Sequence, residues 1–139
     1  MESMPLDTKN TGTNAGNEFP AIWVVPAALR QLAESGDAEL VEELIAIFQS
    51  DTAERLEVMR RAVEGKDYVV VGAEAHTIKG SAVQIGANRL ADFCRQMEWE
   101  VRKNPPVDLA TPFARLLASF EEVRGVIASL RKLNSHRLP

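Results

Sequence analysis

The stretch from residue 71 to residue 85, VGAEAHTIKGSAVQI, contains His76, one of only two histidines among the 139 residues of the chain. Its apolar residues recur at intervals of three or four, the spacing of an amphipathic helix. They are Val71, Ala75, Ile78, Ala82 and Ile85. At about 100° of rotation per residue, this stripe is centred roughly 140° away from His76. The sequence therefore predicts a helix that buries the stripe and turns His76 toward solvent.

The residues that share the outer face with His76 are small or apolar, apart from one cation. Those within about 60° of it are Val69, Gly72, Ala73, Lys79, Gly80 and Val83. Each glycine inside a helix costs about 1 kcal/mol relative to alanine, so two on one face are unfavourable for the helix itself. We interpret the glycines as leaving room for another molecule to approach His76.

Composition excludes several classes of protein. The chain length suits one domain, and a formal net charge of −4 disfavours non-specific binding to nucleic acid. The single cysteine rules out an intrachain disulfide and a cysteine-held zinc site. No apolar run approaches the ~18 residues of a membrane span, and the N-terminus lacks the pattern of a secretory signal. We expect a cytoplasmic protein that binds neither nucleic acid nor a membrane.

The periodicity along the chain predicts five helices and no strand. The expected bounds are about 27–35, 38–64, 68–85 and 88–104, with a last helix that begins at Asp108 or Thr111 and ends near Leu133. Asp37, Asp67 and Asn88 are the expected N-caps of the second, third and fourth helices. Four long amphipathic helices with short connections predict an all-α fold, an antiparallel four-helix bundle with a short extra N-terminal helix.

One domain is expected to span residues 20–134. Residues 1–19 lack periodicity and are expected to form a disordered tail, and residues 135–139 are expected to fray. The apolar segment PAIWVV at 20–25 either packs across the bundle or forms a partner-binding or dimerising strip. The buried faces of the second and last helices are expected to include Leu40, Val41, Leu44, Ile45, Phe48, Leu56, Met59, Val63, Leu116, Leu117, Phe120, Val123, Ile127 and Leu130.

A second candidate residue, Glu98, follows from the hairpin between the third and fourth helices. If the turn lies near Ala87, His76 stands as many residues before it as Glu98 stands after it, so the two lie level. A carboxylate there would accept a hydrogen bond from Nδ1–H of His76 and leave Nε2 free. Alternatively, Glu98 pairs only with Arg95 or Arg102 of its own helix.

The residues alone leave the role of His76 open. Neutral imidazole is a nucleophile, Lys79 would offset the charge of a phosphoryl group on Nε2, and Gly80 would leave the ring unobstructed. The same residues fit an ordinary surface histidine beside a solvated lysine. The third helix supplies no further metal ligands near His76, so no metal site is expected. The sequence also lacks a P-loop and a dinucleotide-binding motif.

The segment AHTIKGSA at 75–82, together with residues downstream of it, resembles the signature of the histidine-containing phosphotransfer (HPt) domain. The matching features are His-x-x-Lys-Gly-Ser at 76–81, Gly-Ala at 86–87 and Cys-x-x-Met-Glu at 94–98. The resemblance covers roughly residues 26–133. It implies that His76 is phosphorylated, Lys79 neutralises the phosphoryl group, Gly80 gives access and Glu98 orients the imidazole. The family often carries glutamine where this chain has Glu98.

The resemblance also implies a function in two-component signal transduction. The chain would be a phosphorelay intermediate that accepts a phosphoryl group on His76 and passes it to or from the aspartate of a response-regulator receiver domain. A hybrid sensor histidine kinase would be another partner. The chain would be a monomeric phosphoryl carrier and not an enzyme, because it would transfer the group only together with a partner and would have no ATP site. It would also have no cofactor of its own, since Mg²⁺ is expected on the receiver. Val69, Gly72, Ala73 and Val83 would form the docking surface.

Two alternatives remain beside this interpretation. A pseudo-carrier of the same fold would bind partners without being phosphorylated, although the intact set of His76, Lys79 and Gly80 argues against it. A dimeric kinase core would follow its histidine with an acidic residue and a nearby proline, which Thr77, Ile78 and Lys79 do not match. The chain would be either a stand-alone carrier or a piece of a larger hybrid kinase.

Overall fold

Five α-helices make up most of the part of the chain that the structure describes. The structure, a computed structural model, describes residues 21–103 and 108–137, with side chains up to residue 130. The helices are α1 (Ala27–Glu34), α2 (Ala38–Glu64), α3 (Tyr68–Ile85), α4 (Asn88–Arg102) and α5 (Ala110–Arg137). No strand occurs within the described ranges. The all-α fold expected from the sequence is therefore confirmed.

The four long helices close into an antiparallel bundle, and the short α1 lies against one of them. α3 packs between α2 and α4, α4 packs on α5, and α5 returns to contact α2, while α1 lies on α2. The core stripe of α3 is buried along its whole length, as predicted, and its members are Val71, Ala75, Ile78, Ala82 and Ile85. Full burial of a side chain such as Ile78 stabilises the fold by about 1.5–3 kcal/mol. Burial of the whole stripe therefore fixes the orientation of α3 about its own axis.

Four leucines predicted to be buried are exposed instead: Leu40, Leu44, Leu117 and Leu130. The reason at Leu40 and Leu44 is the length of the helices, since α2 has 27 residues and α3 has 18. The antiparallel α3 therefore runs beside only the last part of α2, and the first two turns of α2 extend beyond it. Leu130 similarly lies beyond the end of the 15-residue α4, and Leu117 lines an open groove between α2 and α5.

Helix boundaries agree with the sequence at α2 and α3 and differ elsewhere. Asp67 caps α3 as predicted, its Oδ1 accepting from the backbone N–H of Val70 at 3.3 Å. Asn88 is not the cap of α4, because the helix already includes it and Ala87 occupies the N-cap position without a side-chain bond. Asp37 occupies the N-cap position of α2 but makes no side-chain cap bond.

The last helix, α5, extends further toward the C-terminus than the sequence predicts. α5 begins at Ala110, where Oδ1 of Asp108 accepts the backbone N–H at 3.0 Å, and it continues to Arg137. Residues 135–137, expected to fray, are helical instead. Neither glycine nor proline occurs between Gly125 and Pro139 to end the helix earlier. The expected disordered tail at 1–19 and the last two residues lie outside the described residues.

The apolar segment before α1 packs across the turn between α3 and α4. The indole N–H of Trp23 donates to the carbonyl of Ile85 at 2.5 Å, and the N–H of Val24 donates to the carbonyl of Gly86 at 2.9 Å. Gly86 has a φ of +91°, and a Cβ there would lie 1.9 Å from the carbonyl oxygen of Val24. The segment and the glycine together hold the α3–α4 turn, which sets the register between His76 and Glu98.

Candidate functional site

His76 projects from the middle of α3 into solvent, with 72% of its side chain exposed. The rotation of α3 explains this exposure, because the buried stripe occupies the opposite face of the helix. A Cβ added to Gly80, one turn further along, would meet nothing within 4 Å. The ring of His76 is therefore open to another molecule from the side of Gly80, as the sequence predicts.

Glu98 of α4 lies within hydrogen-bond distance of His76. Its Oε2 is 3.0 Å from Nδ1 of the imidazole, and only 10% of its side chain is exposed. An ionised carboxylate can only accept hydrogen bonds, so the contact assigns the ring proton to Nδ1 and leaves Nε2 with a lone pair in the neutral ring. The contact expected from the hairpin count is present, whereas Arg95, one of the two alternative partners, pairs with Asp92.

Lys79 makes a contact that the sequence did not predict. Its Nζ lies 2.6 Å from Oε1 of Glu98, and 27% of its side chain is exposed. The two oxygens of one carboxylate thus face the imidazole and the ammonium group separately. The hairpin geometry that places Glu98 level with His76 would also have predicted this contact, since His76 and Lys79 both lie on the side of α3 that faces α4.

The carboxylate of Glu98 is held in its charged form. Burial alone would raise its pKa, but the ion pair with Lys79, the hydrogen bond from His76 and the charges of both outweigh burial and hold the pKa of Glu98 below its usual range. Cys94, one turn earlier in α4, is buried, and this burial together with the charge of Glu98 raises the pKa of its thiol to about 12. Cys94 is therefore a neutral core residue, while Glu98 supplies a negative charge beside His76 at neutral pH.

The predicted docking residues lie around His76 with different exposures. Val69 and Val83 are 82% and 54% exposed, and Ala73 is also exposed. Gly72 is partly covered, because a Cβ there would come within 3.3 Å of Cγ2 of Val101 on α4. The lack of a side chain at Gly72 thus lets α3 and α4 approach each other, which corrects the interpretation that both glycines serve access to His76.

A shallow depression adjoins the site on the α3–α4 side. Its volume is about 320 Å³, and its lining combines Val69, Gly72 and Ala73 of α3 with Glu98, Val101 and Arg102 of α4. Trp99, next to Glu98 in α4, is 61% exposed and was not singled out from the sequence. The signal for Trp99 was its position outside the apolar stripe of α4, which turns a large aromatic side chain toward solvent.

Within residues 21–103 and 108–130, whose side chains the structure describes, no group of three or more His, Cys, Asp or Glu side chains is arranged to hold a metal ion. Over the same residues, none of the helices combines the length and the apolar character that crossing a membrane requires.

Comparison with known proteins places the chain in a family. The model of the Hpt domain family matches residues 43–131, which is more than half of the chain. The chain belongs to the Hpt domain family. The resemblance inferred from the sequence is therefore confirmed.

Curated relatives of this Hpt domain are found in Arabidopsis thaliana. It is 32% identical over 69 residues to histidine-containing phosphotransfer protein 2 and 30% identical over 69 residues to histidine-containing phosphotransfer protein 5. Each match covers 48% of this chain and 44% of the relative. The chain thus spans a little under half of the length of the relatives that it matches.

A solved structure resembles this Hpt domain in fold. The crystal structure of histidine-containing phosphotransfer protein B (HptB) from Pseudomonas aeruginosa PAO1 superposes with a TM-score of 0.68. The match covers 78% of this chain and 94% of HptB at 21% sequence identity. At that identity the likeness supports the helical-bundle fold and says nothing of the individual residues at the site.

Proposed function

We propose that this Hpt domain is a phosphorelay carrier that accepts a phosphoryl group on Nε2 of His76 and passes it to or from the aspartate of a response-regulator receiver domain. The observation that carries the proposal is the exposed imidazole whose Nδ1 lies 3.0 Å from a buried carboxylate. This arrangement leaves Nε2 as the free nucleophilic atom, and it faces solvent, where a partner can reach it.

The transfer itself needs little beyond position and charge compensation. The lone pair of Nε2 of His76 attacks the phosphorus of an aspartyl phosphate, and the bond between phosphorus and the aspartate oxygen breaks. The aspartate carboxylate leaves with the electron pair. The ring then carries phosphorus on Nε2 and hydrogen on Nδ1, and its positive charge is balanced by Glu98 at 3.0 Å. The reverse transfer returns the electron pair to Nε2.

The charges at the site have distinct roles in this proposal. Lys79 offsets part of the negative charge of the phosphoryl group, and Glu98 orients the imidazole and stabilises its cationic form. Gly80 keeps the approach to Nε2 open, since no atom lies where a side chain would begin. No metal ion takes part on this side of the complex, and the Mg²⁺ that the reaction uses is expected on the receiver.

The partner is proposed to dock on the surface formed by Val69, Gly72, Ala73 and Val83. Exposed apolar side chains beside the reacting atom suit a transient interface that must form and release quickly. We further propose that the chain works as a cytoplasmic monomer whose partners are a receiver domain, a hybrid sensor histidine kinase or both. It would have no ATP site and would therefore depend on a partner for its phosphoryl group.

Transfer from a phosphorylated receiver domain tests the proposal directly. The wild-type chain should acquire a label that is labile in acid and stable in base, as a phosphoramidate is. His76→Gln should acquire none, while His136→Gln, the matched change at the only other histidine, should label normally. A labelled His76→Gln variant would overturn the assignment of the site. Binding to phosphorylated receivers without any label on the wild type would favour the alternative of a binding-only module.

A further inference from the structure

The carboxylate of Glu98 binds two groups that phosphoryl transfer would use for different purposes. Oε2 lies 3.0 Å from Nδ1 of His76, and Oε1 lies 2.6 Å from Nζ of Lys79. The second contact is the shorter one, and it joins full charges of opposite sign. The ammonium group of Lys79 is therefore directed toward the buried carboxylate of Glu98.

We propose that Glu98 captures Lys79 and thereby limits how strongly this lysine stabilises a phosphoryl group on His76. The inference rests on the proposed function, and it adds a role for Glu98 beyond orienting the ring. Glu98 is a positioning residue here, because it acts on the phosphoryl group only through Lys79 and the imidazole. The outcome is a phosphohistidine that gives up its phosphoryl group readily, which suits a carrier that must pass the group onward.

The balance of charges supports this inference. After transfer, the single positive charge of Lys79 is shared between the carboxylate of Glu98 and the phosphoryl group. The carboxylate has the advantage of burial, since a charge pair with little solvent around it is screened less than one in open water. The phosphoryl group on the exposed ring is well hydrated and gains less from the same ammonium group.

A glutamine at position 98 would relax the capture of Lys79. An amide has one acceptor oxygen, whereas this site presents two donors, Nδ1–H of His76 and the ammonium of Lys79. If the amide oxygen serves the imidazole, the NH₂ group is left facing Lys79 and repels it. Lys79 is then free to pair with the phosphoryl group, so Glu98→Gln should stabilise the phosphorylated state.

The lifetime of the phosphorylated protein provides the measurement. The full chain is phosphorylated with potassium phosphoramidate, in which the imidazole displaces ammonia from phosphorus, and the loss of the N–P signal is followed by ³¹P NMR at neutral pH. Glu98→Gln should lengthen the lifetime by about twofold to fivefold, the factor that one partly exposed charge pair provides. Glu100→Gln, a change on the same helix that removes a carboxylate paired with Lys103 instead, should leave the lifetime unchanged.

The role of Lys79 is tested by combining two substitutions. Lys79→Ala should shorten the lifetime by less than twofold when Glu98 is present, because the lysine is already engaged. In the Glu98→Gln background the same change should shorten the lifetime by about twofold to fivefold. A purely structural role of Glu98 would not make the effect of Lys79 depend on residue 98, and circular dichroism and thermal melting verify that each variant is folded.

The outcomes separate this inference from the proposed function. If the wild type is labelled on His76 but Glu98→Gln does not extend the lifetime, the capture of Lys79 is wrong and the carrier function stands. Equal effects of Lys79→Ala in the two backgrounds would likewise refute the capture. If the wild type takes no label on His76 from phosphoramidate or from a receiver domain, the proposed function fails and this inference fails with it.

Discussion

The α3–α4 hairpin and the α2–α5 pair close the same bundle in different ways. In the hairpin the connection consists of Gly86 and Ala87, and the close approach of the helices is visible at Gly72, whose missing side chain would come within 3.3 Å of Val101. α2 and α5 are distant in sequence and meet through large side chains such as Phe48 and Phe120, whose ring centroids are 6.4 Å apart. Beside them remains an open groove of about 170 Å³.

This difference matches what each part of the bundle has to do. The contact between His76 and Glu98 joins two helices, so it depends on their relative position to within about 0.5 Å. A two-residue turn and small contact residues leave little freedom for such a shift. The α2–α5 pair carries no group of the site, so bulky side chains and an open groove suffice there. The predictions that follow compare these two parts of the bundle.

The largest effect is expected from a large side chain at Gly80. Gly80→Gln should slow phosphoryl transfer by about a hundredfold or more, because the side chain occupies the approach to Nε2. The unfolding free energy should stay equal or rise by up to about 1 kcal/mol, since glycine is unfavourable within a helix. Gly125→Gln provides the control, because a Cβ at this position of α5 also meets nothing within 4 Å. Normal transfer by the Gly80 variant would remove the steric argument.

The turn of the hairpin should be sensitive to an added methyl group. Gly86→Ala should lower the unfolding free energy by about 2–3 kcal/mol, because alanine is strained at a φ of +91° and its Cβ would meet the carbonyl of Val24. Gly36→Ala is the matched control, with a φ of +98° but open space around it, and should cost only about 1–2 kcal/mol. Urea denaturation measures both, and equal losses would show that the N-terminal segment does not constrain the turn.

Removal of the Glu98 side chain should slow phosphoryl transfer less than a large side chain at Gly80 does. Glu98→Ala should slow transfer to His76 by about tenfold, the factor that corresponds to a hydrogen bond with a charged group of roughly 1.5 kcal/mol. The ring would then rotate freely and populate both tautomers. Glu121→Ala provides the comparison in α5, where an exposed carboxylate pairs with Arg124 at 3.4 Å. An undiminished transfer rate in Glu98→Ala would refute the orienting role.

The smallest expected effect is a dependence of stability on pH. The pKa of Glu98 lies below its usual value of 4.5 in the folded protein, so its charged contacts stabilise the fold fully above pH 4.5. This contribution is lost as the pH falls below 4.5 and through the folded pKa. The advantage of the wild type over Glu98→Gln in unfolding free energy should therefore shrink between neutral pH and pH 3. A difference that does not change with pH would show that the carboxylate is not held by charged partners.

The extent to which the sequence predicted the fold depends on the helix considered. α3 was predicted to its exact bounds because Asp67 and Gly86 mark its ends and its stripe is continuous. The apolar pattern of α2 also gave its bounds, but it overestimated burial at Leu40 and Leu44. Periodicity shows which face of a helix is apolar, whereas burial also requires a neighbouring helix long enough to cover that face.

Some features of the candidate site depend on a single helix, and others depend on how the helices pack together. The exposure of His76 and the open space at Gly80 follow from the 3.6-residue period of one helix, so the sequence by itself determined them. The position of Glu98 level with His76 followed from counting residues across the two-residue turn between α3 and α4. The pairing of Glu98 with Lys79 and the packing of Gly72 against Val101 were decided only by the tertiary structure. Both depend on the distance between α3 and α4, and that distance results from the packing of all the side chains between them.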